Sequence, residues 1–345
     1  MTELVFVVPG RLDQLTGGYL YDRHIVDGLR ARGRPVQVVE LARKADGAAF
    51  AAFADGTAVI IDGLALANLQ QELTAQARRL RVIALVHGPL ALETGVSPAE
   101  AKNAAKLEAA LLLQLRGILC PSRKTAAAIE SYGVSPDRIA TVPPGTAKPN
   151  KHLWPRRGPV RSLLCVANLV PRKGHRVLVK ALARIRNLDW KLLCIGSLAR
   201  DPATVRSVRQ MISAAGLGRR ITLAGERPSE AVAHAYRAAD AFILPSFHEG
   251  YGMAYAEAMA HGLPIIATVA GAIPETVPRE AGLLVPPGDP AALARALRRV
   301  ILDPALAARL AAGSRAAGAR LPEWSQATEE WERALDRLAA LDPPS

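Results

Sequence analysis

The chain has 345 residues, half of them hydrophobic, and a formal net charge of +13. That length exceeds one typical core and points to two domains. Aromatic residues make up only 4%, which leaves few stacking platforms for single strands, and no finger, basic-zipper or RNA-recognition pattern occurs. Nucleic acid is therefore not expected as a partner.

The basic surplus is uneven. The first 150 residues carry 17 basic against 14 acidic side chains, and the remainder 27 against 17. An Ala- and Arg-rich bias accounts for this as well as any partner does. Peripheral contact with anionic lipid headgroups stays open as an alternative. No apolar run is long enough to span a bilayer, and the N-terminal MTELVFVVPGR lacks a basic n-region and a long apolar h-region. The expectation is a cytoplasmic protein, with peripheral contact on the inner membrane face as an alternative. Cys120, Cys165 and Cys194 each lie in or beside a strand-like run and read as reduced, buried thiols.

From the N-terminus, Leu4–Val8 is a buried-strand run, and a loop follows it as far as Thr16-Gly17-Gly18-Tyr19. A helical pattern covers Tyr21–Ala31. Further short apolar runs are Val36–Val39, Val59–Ile61, Val82–Val86, Gly117–Cys120 and Ile139–Val142. Helical stretches over Leu69–Leu80, Pro98–Leu115 and Thr125–Tyr132 separate or follow them. Such alternation predicts a parallel sheet wrapped by helices. Pro143–Pro159 holds five prolines and two glycines, a density that ends strands and helices alike, so it reads as an interdomain linker.

The alternation then restarts: strand Leu163–Ala167, helix Val177–Arg186, strand Lys191–Ile195, helix Ala203–Ala215, strand Ile221–Ala224, helix Ser229–Arg237. Strand Ala241–Leu244 leads into PSFHEGYGMAYAEAMAHGLPIIATVAGAIPE, residues 245–275. Here Glu249 sits in a Gly-punctuated loop, and Gly252–Ala260 reads as a helix of good formers. Leu263–Ala267 is the next strand. Strand Leu283–Val285, helix Pro290–Leu302, a helix from Pro304 and a last helix around Gln326–Leu341 complete the chain. The predicted organisation is α/β throughout, with domains at 1–150 and 151–324.

Glu249 and Glu257 lie eight positions apart, before and inside one helix. The start of that helix offers free N–H groups and partial positive charge, which suit a phosphate. A loop carboxylate, a helix N-terminus and a helix carboxylate in this order can hold a sugar, a diphosphate and a ribose. The segment resembles the donor-site signature of the retaining family-four glycosyltransferases, with their Glu-x7-Glu motif. Its Glu-Gly-Tyr-Gly, Glu-Ala-Met-Ala-His-Gly-Leu-Pro and Gly-Ala-Ile-Pro-Glu strings resemble the family too.

The resemblance implies a GT-B fold, two facing Rossmann-like parallel-sheet domains with an interdomain cleft, and a last helix (325–341) that crosses back onto the first domain. It implies a nucleoside-diphosphate sugar of the UDP- or GDP-hexose type as donor, no further cofactor, and an acceptor that the sequence does not identify. Glu249 would hold sugar hydroxyls and support the developing ring cation, and Glu257 would accept from the ribose. The N–H groups at Gly252, Met253 and Ala254 would meet the diphosphate.

Gly17 and Gly18 follow the first strand, where strand carboxyl ends face a ligand crevice, and resemble the family's loop against the donor diphosphate. The string is not Gly-x-Gly-x-x-Gly, so a nicotinamide cofactor is disfavoured. Arg172 and Lys173 stand just before a helix, placed for charge-assisted hydrogen bonds to a diphosphate. Many family members have Gly-Arg where this chain has Ala167-Asn168, so Arg172 is expected to stand in for the missing cation. His87 matches the family's active-site histidine by position, although a lone histidine at a strand end also serves structure. Glu93 is a candidate for acceptor contact against a solvated loop. Gly196 and Arg227 follow strands on the expected nucleotide side.

No Asp-x-Asp and no His/Asp cluster of recognisable metal spacing occurs, so the reaction is expected to be metal-independent. Two other readings stay open: another enzyme of this architecture, such as an epimerase or a phosphorylase, and a basic nucleic-acid or membrane-surface binder.

Overall fold

The computed structural model describes residues 4–41, 48–92, 97–149 and 159–344. The chain divides into two compact units, Met1–Gly145 with Pro322–Ser345, and Thr146–Leu321. The first boundary thus falls at Gly145, early in the proline-rich run, and the second just before the last helix.

Unit 1 contains strands β1 (Leu4–Val8), β2 (Val36–Glu40), β3 (Ala58–Asp62), β4 (Arg81–Leu85), β5 (Gly117–Cys120) and β6 (Ile139–Thr141). Its helices are α1 (Gly17–Ala31), α2 (Ala48–Ala51), α3 (Gln70–Gln76), α4 (Pro98–Leu112) and α5 (Arg123–Glu130). The strands form one sheet in the order β2-β1-β3-β4-β5-β6, with every pair parallel. Positions in β1 and β3 are buried throughout, which is why both read as continuous apolar runs: helices cover both faces of a parallel sheet.

Unit 2 contains β7 (Ser162–Val166), β8 (Lys191–Ile195), β9 (Ile221–Leu223), β10 (Ala241–Ile243), β11 (Ile265–Thr268) and β12 (Gly282–Val285). Around them lie α6 (His175–Arg184), α7 (Pro202–Ala214), α8 (Ser229–Ala238), α9 (Met253–Ala260), α10 (Ile273–Thr276), α11 (Pro290–Leu302) and α12 (Pro304–Arg320). The sheet order is β12-β11-β10-β7-β8-β9, again all parallel. The expected α/β pair of Rossmann-like parallel sheets is what the chain forms.

In each sheet the strand order reverses once, between β1 and β3 in unit 1 and between β7 and β10 in unit 2. Helices on the two sides of such a switch point diverge and open a crevice at the strand carboxyl ends, where ligands of α/β proteins bind.

The last helix, α13 (Trp324–Ala339), belongs to unit 1. Trp331 is fully buried and stacks on Phe6 of β1, ring centroids 6.2 Å apart. Two glycines accept the helix closely. A Cβ on Gly28 would lie 2.4 Å from Thr328 Oγ1, and one on Gly117 2.8 Å from Leu338. Arg34 pairs with Asp336 at 2.9 Å, and Arg337 donates to the Asp137 carbonyl at 2.7 Å.

Among the elements that begin elsewhere than the sequence pattern predicts, two show a local cause. Helix α1 starts at Gly17, not Tyr21, because Thr16 acts as N-cap and its hydroxyl accepts from Tyr19 N. Strand β11 starts at Ile265, not Leu263, since Pro264 has no N–H for the ladder and only its carbonyl serves, accepting from Phe242 N. Truncating the buried anchor of the last helix tests how far it stabilises unit 1. Trp331→Ala is expected to cost about 3–5 kcal/mol in denaturant unfolding of that unit; a cost under about 1 kcal/mol would show that the helix is dispensable.

Candidate active site

In unit 2 two loops meet at the switch point. One follows β7 and carries Arg172 and Lys173; the other follows β10 and carries Ser246 and Glu249. Backbone contacts stitch them together. Phe247 N donates to the Arg172 carbonyl at 2.7 Å, and a Cβ on Gly174 would lie 2.1 Å from the Pro245 carbonyl oxygen. Gly174 also has a φ of 71°, a conformation natural only to glycine.

Glu249 is the hub. Its side chain is buried, and Lys173 Nζ donates to both carboxylate oxygens at 2.7 and 2.9 Å. Arg172 Nη1 reaches Oε2 at 3.3 Å and the His248 carbonyl at 2.9 Å, while the Ser246 hydroxyl donates to Oε1 at 2.6 Å. Burial pushes this carboxyl up, but the two cations and these hydrogen bonds outweigh it and hold it below its ordinary value. The later Gly-Ala-Ile-Pro-Glu string seats the same residue. Ala272 N donates to the Glu249 carbonyl at 2.8 Å, and a Cβ on Gly271 would lie 2.4 Å from that oxygen.

The next turn opens α9. Gly252 is its N-cap with φ 95°, and no side chain caps the helix. Met253 and Ala254 form its first turn, where the amides carry the helix's partial positive charge. Glu257 stands one turn further along. Burial pushes its carboxyl up, against a hydrogen bond with the Tyr236 hydroxyl. Tyr236 is itself locked by stacking on His261 at 5.0 Å.

The Asn168 position, expected to lack a cation, has a different task. Its Oδ1 accepts from Ser197 N at 2.8 Å, tying the loop after β7 to the loop after β8. Gly196 lets these loops touch: a Cβ there would lie 2.1 Å from the Ala167 carbonyl oxygen. The loop's two cations, Arg172 and Lys173, both lie on Glu249. Arg227 is exposed and donates to the neighbouring Glu226 carbonyl, apart from the Glu249 constellation.

In unit 1 the switch point gathers Gly18 of α1, Asp62 at the end of β3 and His87 after β4. Gly17 and Gly18 are the first turn of a helix and not the loop the sequence suggests. Gly18 is small because His87 lies against it; a Cβ there would be 3.1 Å from His87 Cδ2. His87 Nε2 lies 2.9 Å from Asp22 Oδ1 and 4.0 Å from Asp62 Oδ2. Both aspartates are buried, at 0% and 1% exposure. Burial first, and then the Asp22 charge, push the Asp62 carboxyl up to about 7. Burial also pushes the His87 imidazolium down, but the Asp22 charge and hydrogen bond outweigh it and carry it up to about 9. Just beyond, buried Glu108 accepts from Leu90 N at 3.0 Å and so fixes the start of the loop after His87. Glu93, the candidate for acceptor contact, lies outside the described residues.

Ser246, Asp22, Asp62 and Glu108 are site residues that the sequence reading misses. The three aspartate and histidine groups are separated by 40 and 25 positions, so only the sheet order brings them together. Their ligand atoms lie within 4.8 Å of one another, as do those of Cys165, His175 and Cys194. The second group lies inside unit 2, where Cys165 and Cys194 are directly opposed on β7 and β8 and His175 Nε2 approaches Cys165 Sγ at 3.7 Å. All three cysteines are free and buried. Among the described residues, no helix is long and apolar enough to cross a membrane.

Residues 160–303 match the family model described as Glycosyl transferases group 1, and residues 57–147 match that of Glycosyltransferase Family 4. A D-inositol 3-phosphate glycosyltransferase from Xylanimonas cellulosilytica is 33% identical over 58% of this chain and 51% of its own length. An MMP alpha-(1->4)-mannosyltransferase from Mycolicibacterium hassiacum is 29% identical over 75% of this chain and 67% of its own length. The chain spans about half the length of the inositol-phosphate relatives it matches. Among solved structures, sucrose-phosphate synthase from Thermosynechococcus elongatus superposes with a TM-score of 0.81 at 24% identity, covering 99% of this chain and all of that one. The Anabaena protein HepE in complex with UDP and glucose gives 0.76 at 18% identity, covering 96% of this chain and 99% of that one.

The two glutamates should respond oppositely to pH. Glu249 has a depressed folded value, so its contribution to stability is present above about 4.5 and lost as pH falls through that lower value. The melting-temperature advantage of wild type over Glu249→Gln is expected to shrink below pH 4.5. Glu257 is raised, so its protonated form is favoured by folding and its contribution is lost as pH rises past 4.5. Glu257→Gln should therefore gain on wild type with rising pH. Differences that do not change with pH would contradict both assignments.

Proposed function

We propose, from the match of residues 160–303 and 57–147 to glycosyltransferase family models, that this chain transfers a hexosyl group from a nucleoside-diphosphate sugar to an acceptor hydroxyl with retention of anomeric configuration. The observation that carries this reading is the convergence of Lys173 and Arg172 on Glu249 beside the uncapped start of α9. HepE's complex with UDP and glucose supports a UDP-sugar type of donor at such a fold.

As the glycosidic bond breaks, negative charge grows on the diphosphate and positive charge on the sugar ring. Lys173, Arg172 and the amides at Gly252, Met253 and Ala254 face the first. A helix terminus contributes about 0.3–1 kcal/mol at a surface and up to ~2 when partly buried. Preorganised donors matter more, because they are already oriented when the charge develops. Glu249, held ionised by its two cations, takes the sugar hydroxyls and supports the ring cation. Glu257 accepts from the ribose. Its raised carboxyl value means that this contact is stronger where the group is ionised, on the alkaline side. The leaving phosphate takes the acceptor's proton, so no separate nucleophile and base are required. Gly18 and His87 lie against each other at the switch point of unit 1, where Gly17 opens α1. The reaction needs no metal in this reading.

Kinetics and binding test the assignment in three ways. Glu249→Ala should lower kcat by roughly 10²–10³-fold, the scale seen when one preorganised group is removed from a transition state. Glu257→Ala should weaken nucleotide affinity more than it slows turnover. In a thermal-shift screen of UDP-, GDP- and ADP-sugars, the true donor should raise Tm, since a ligand at 100 times its Kd stabilises the fold by about 2.7 kcal/mol. Salt-sensitive binding to DNA or anionic vesicles, with no response to any nucleotide sugar, would favour the basic-surface reading instead.

A further inference from the structure

The charge state of His87 deepens the proposed function and rests on the placement of that residue in the transfer site. The ring is enclosed on one side by α1. Gly18 and Asp22 stand four positions apart on that helix and so share a face. Glycine at the first lets the helix close on the ring, since a Cβ there would lie 3.1 Å from His87 Cδ2, and this brings the Asp22 carboxylate onto Nε2 at 2.9 Å. Tyr21 meets the ring edge-on with centroids 5.5 Å apart, and its hydroxyl donates to the Val142 carbonyl. From the other side comes Asp62. Its Oδ1 is committed to Leu64 N at 2.8 Å, while its buried Oδ2 lies 4.0 Å from His87 Nε2. Among the described residues, the titratable groups facing the ring are Asp22 and Tyr21 from α1 and Asp62 from the end of β3.

A carboxylate oxygen accepts and does not donate, so Nε2 must carry the proton toward Asp22. We infer that Asp22 and Asp62 are positioning residues that keep His87 as an imidazolium, a fixed hydrogen-bond donor and positive charge at the switch point of unit 1 and not a base. Two buried carboxylates beside one imidazole make this the lower-energy arrangement. An ionised Asp22 buried without a cation would be costly, whereas an Asp22–imidazolium pair with the second carboxyl protonated is electrically neutral. The upward displacement of both His87 and Asp62 agrees with that distribution of protons. A base at this place would be idle, because the leaving phosphate takes the acceptor's proton; a donor is of use throughout the reaction.

The experiment combines imidazole nitrogen NMR with pH–rate profiles on wild type, Asp22→Asn, Asp62→Asn and His87→Ala, with a melting curve for each variant. In wild type the His87 ring is expected to stay protonated up to about 9. Asp22→Asn should lower that titration to about 7, toward the ordinary histidine range. The protonated fraction at about pH 8 would then fall from roughly nine-tenths to one-tenth, and the ratio of kcat at pH 8 to kcat at pH 6 should fall by about tenfold. Asp62 is ionised only above about 7, so at the alkaline limb Asp62→Asn removes a second negative neighbour and should shift the limb in the same direction, by less. The amide variants preserve shape; if Asp22→Asn nonetheless fails to fold, the Asp62→Asn profile and the wild-type NMR titration still decide the matter. A neutral His87 at pH 7 in wild type, or an alkaline limb that neither variant moves, would overturn the inference. Full activity in His87→Ala would instead remove His87 from the site, and with it the reading on which this inference rests.

Discussion

A single buried carboxylate, Glu249, with two cations gathered on it, is the interaction from which the rest of unit 2's site takes its shape. Removing either side from water alone would be expensive, and a buried charge that loses its partner costs about 3–5 kcal/mol. The pair therefore dictates that the loops after β7 and β10 stay together. Everything nearby reinforces that closure: the Phe247–Arg172 backbone bond, the close approach at Gly174, the Ser246 hydroxyl and the seat that Gly271 and Ala272 provide. The result is a closed pair of loops adjoining the start of α9.

The same physical device recurs in a different chemical form in unit 1. There, too, the sheet reverses its strand order, and charged groups gather at the strand carboxyl ends of the reversal. In unit 2 a carboxylate is held by cations; in unit 1 a histidine is held by carboxylates. Both constellations are buried enough for their protonation states to be governed by neighbours and not by bulk solvent. In both, a glycine permits the close approach, Gly174 in one and Gly18 in the other.

Much of this was legible before any coordinates. The apolar runs of β1 and β3 and the alternation of strands with helices announce two parallel sheets, because fully covered strands leave no polar face to interrupt the run. Glu249, Glu257 and the start of α9 lie within one contiguous stretch, so local order alone preserves their geometry. What escaped the sequence depends on long-range register or on capping. Asp22 and Asp62 come to His87 only through the β2-β1-β3-β4 order. Thr16 turned an apparent glycine loop into a helix start, and a glycine pair gives no helical signal of its own. Asn168, read as a missing cation, is a tie between loops, which only its contact with Ser197 reveals. Ser246 was overlooked because a serine in a loop gives no signal until its hydroxyl is seen on a carboxylate.

The central claim is that Lys173, gathered with Arg172 on Glu249, belongs to the diphosphate and not to the base or ribose. Calorimetric titration of wild type and Lys173→Ala with a nucleoside diphosphate, and with the corresponding nucleoside lacking phosphates, measures this directly. The diphosphate should bind the variant at least about tenfold more weakly, the scale of one charge-assisted hydrogen bond, while the nucleoside binds both proteins alike. Equal affinity of both proteins for the diphosphate, or an equal loss for nucleoside and diphosphate, would contradict it.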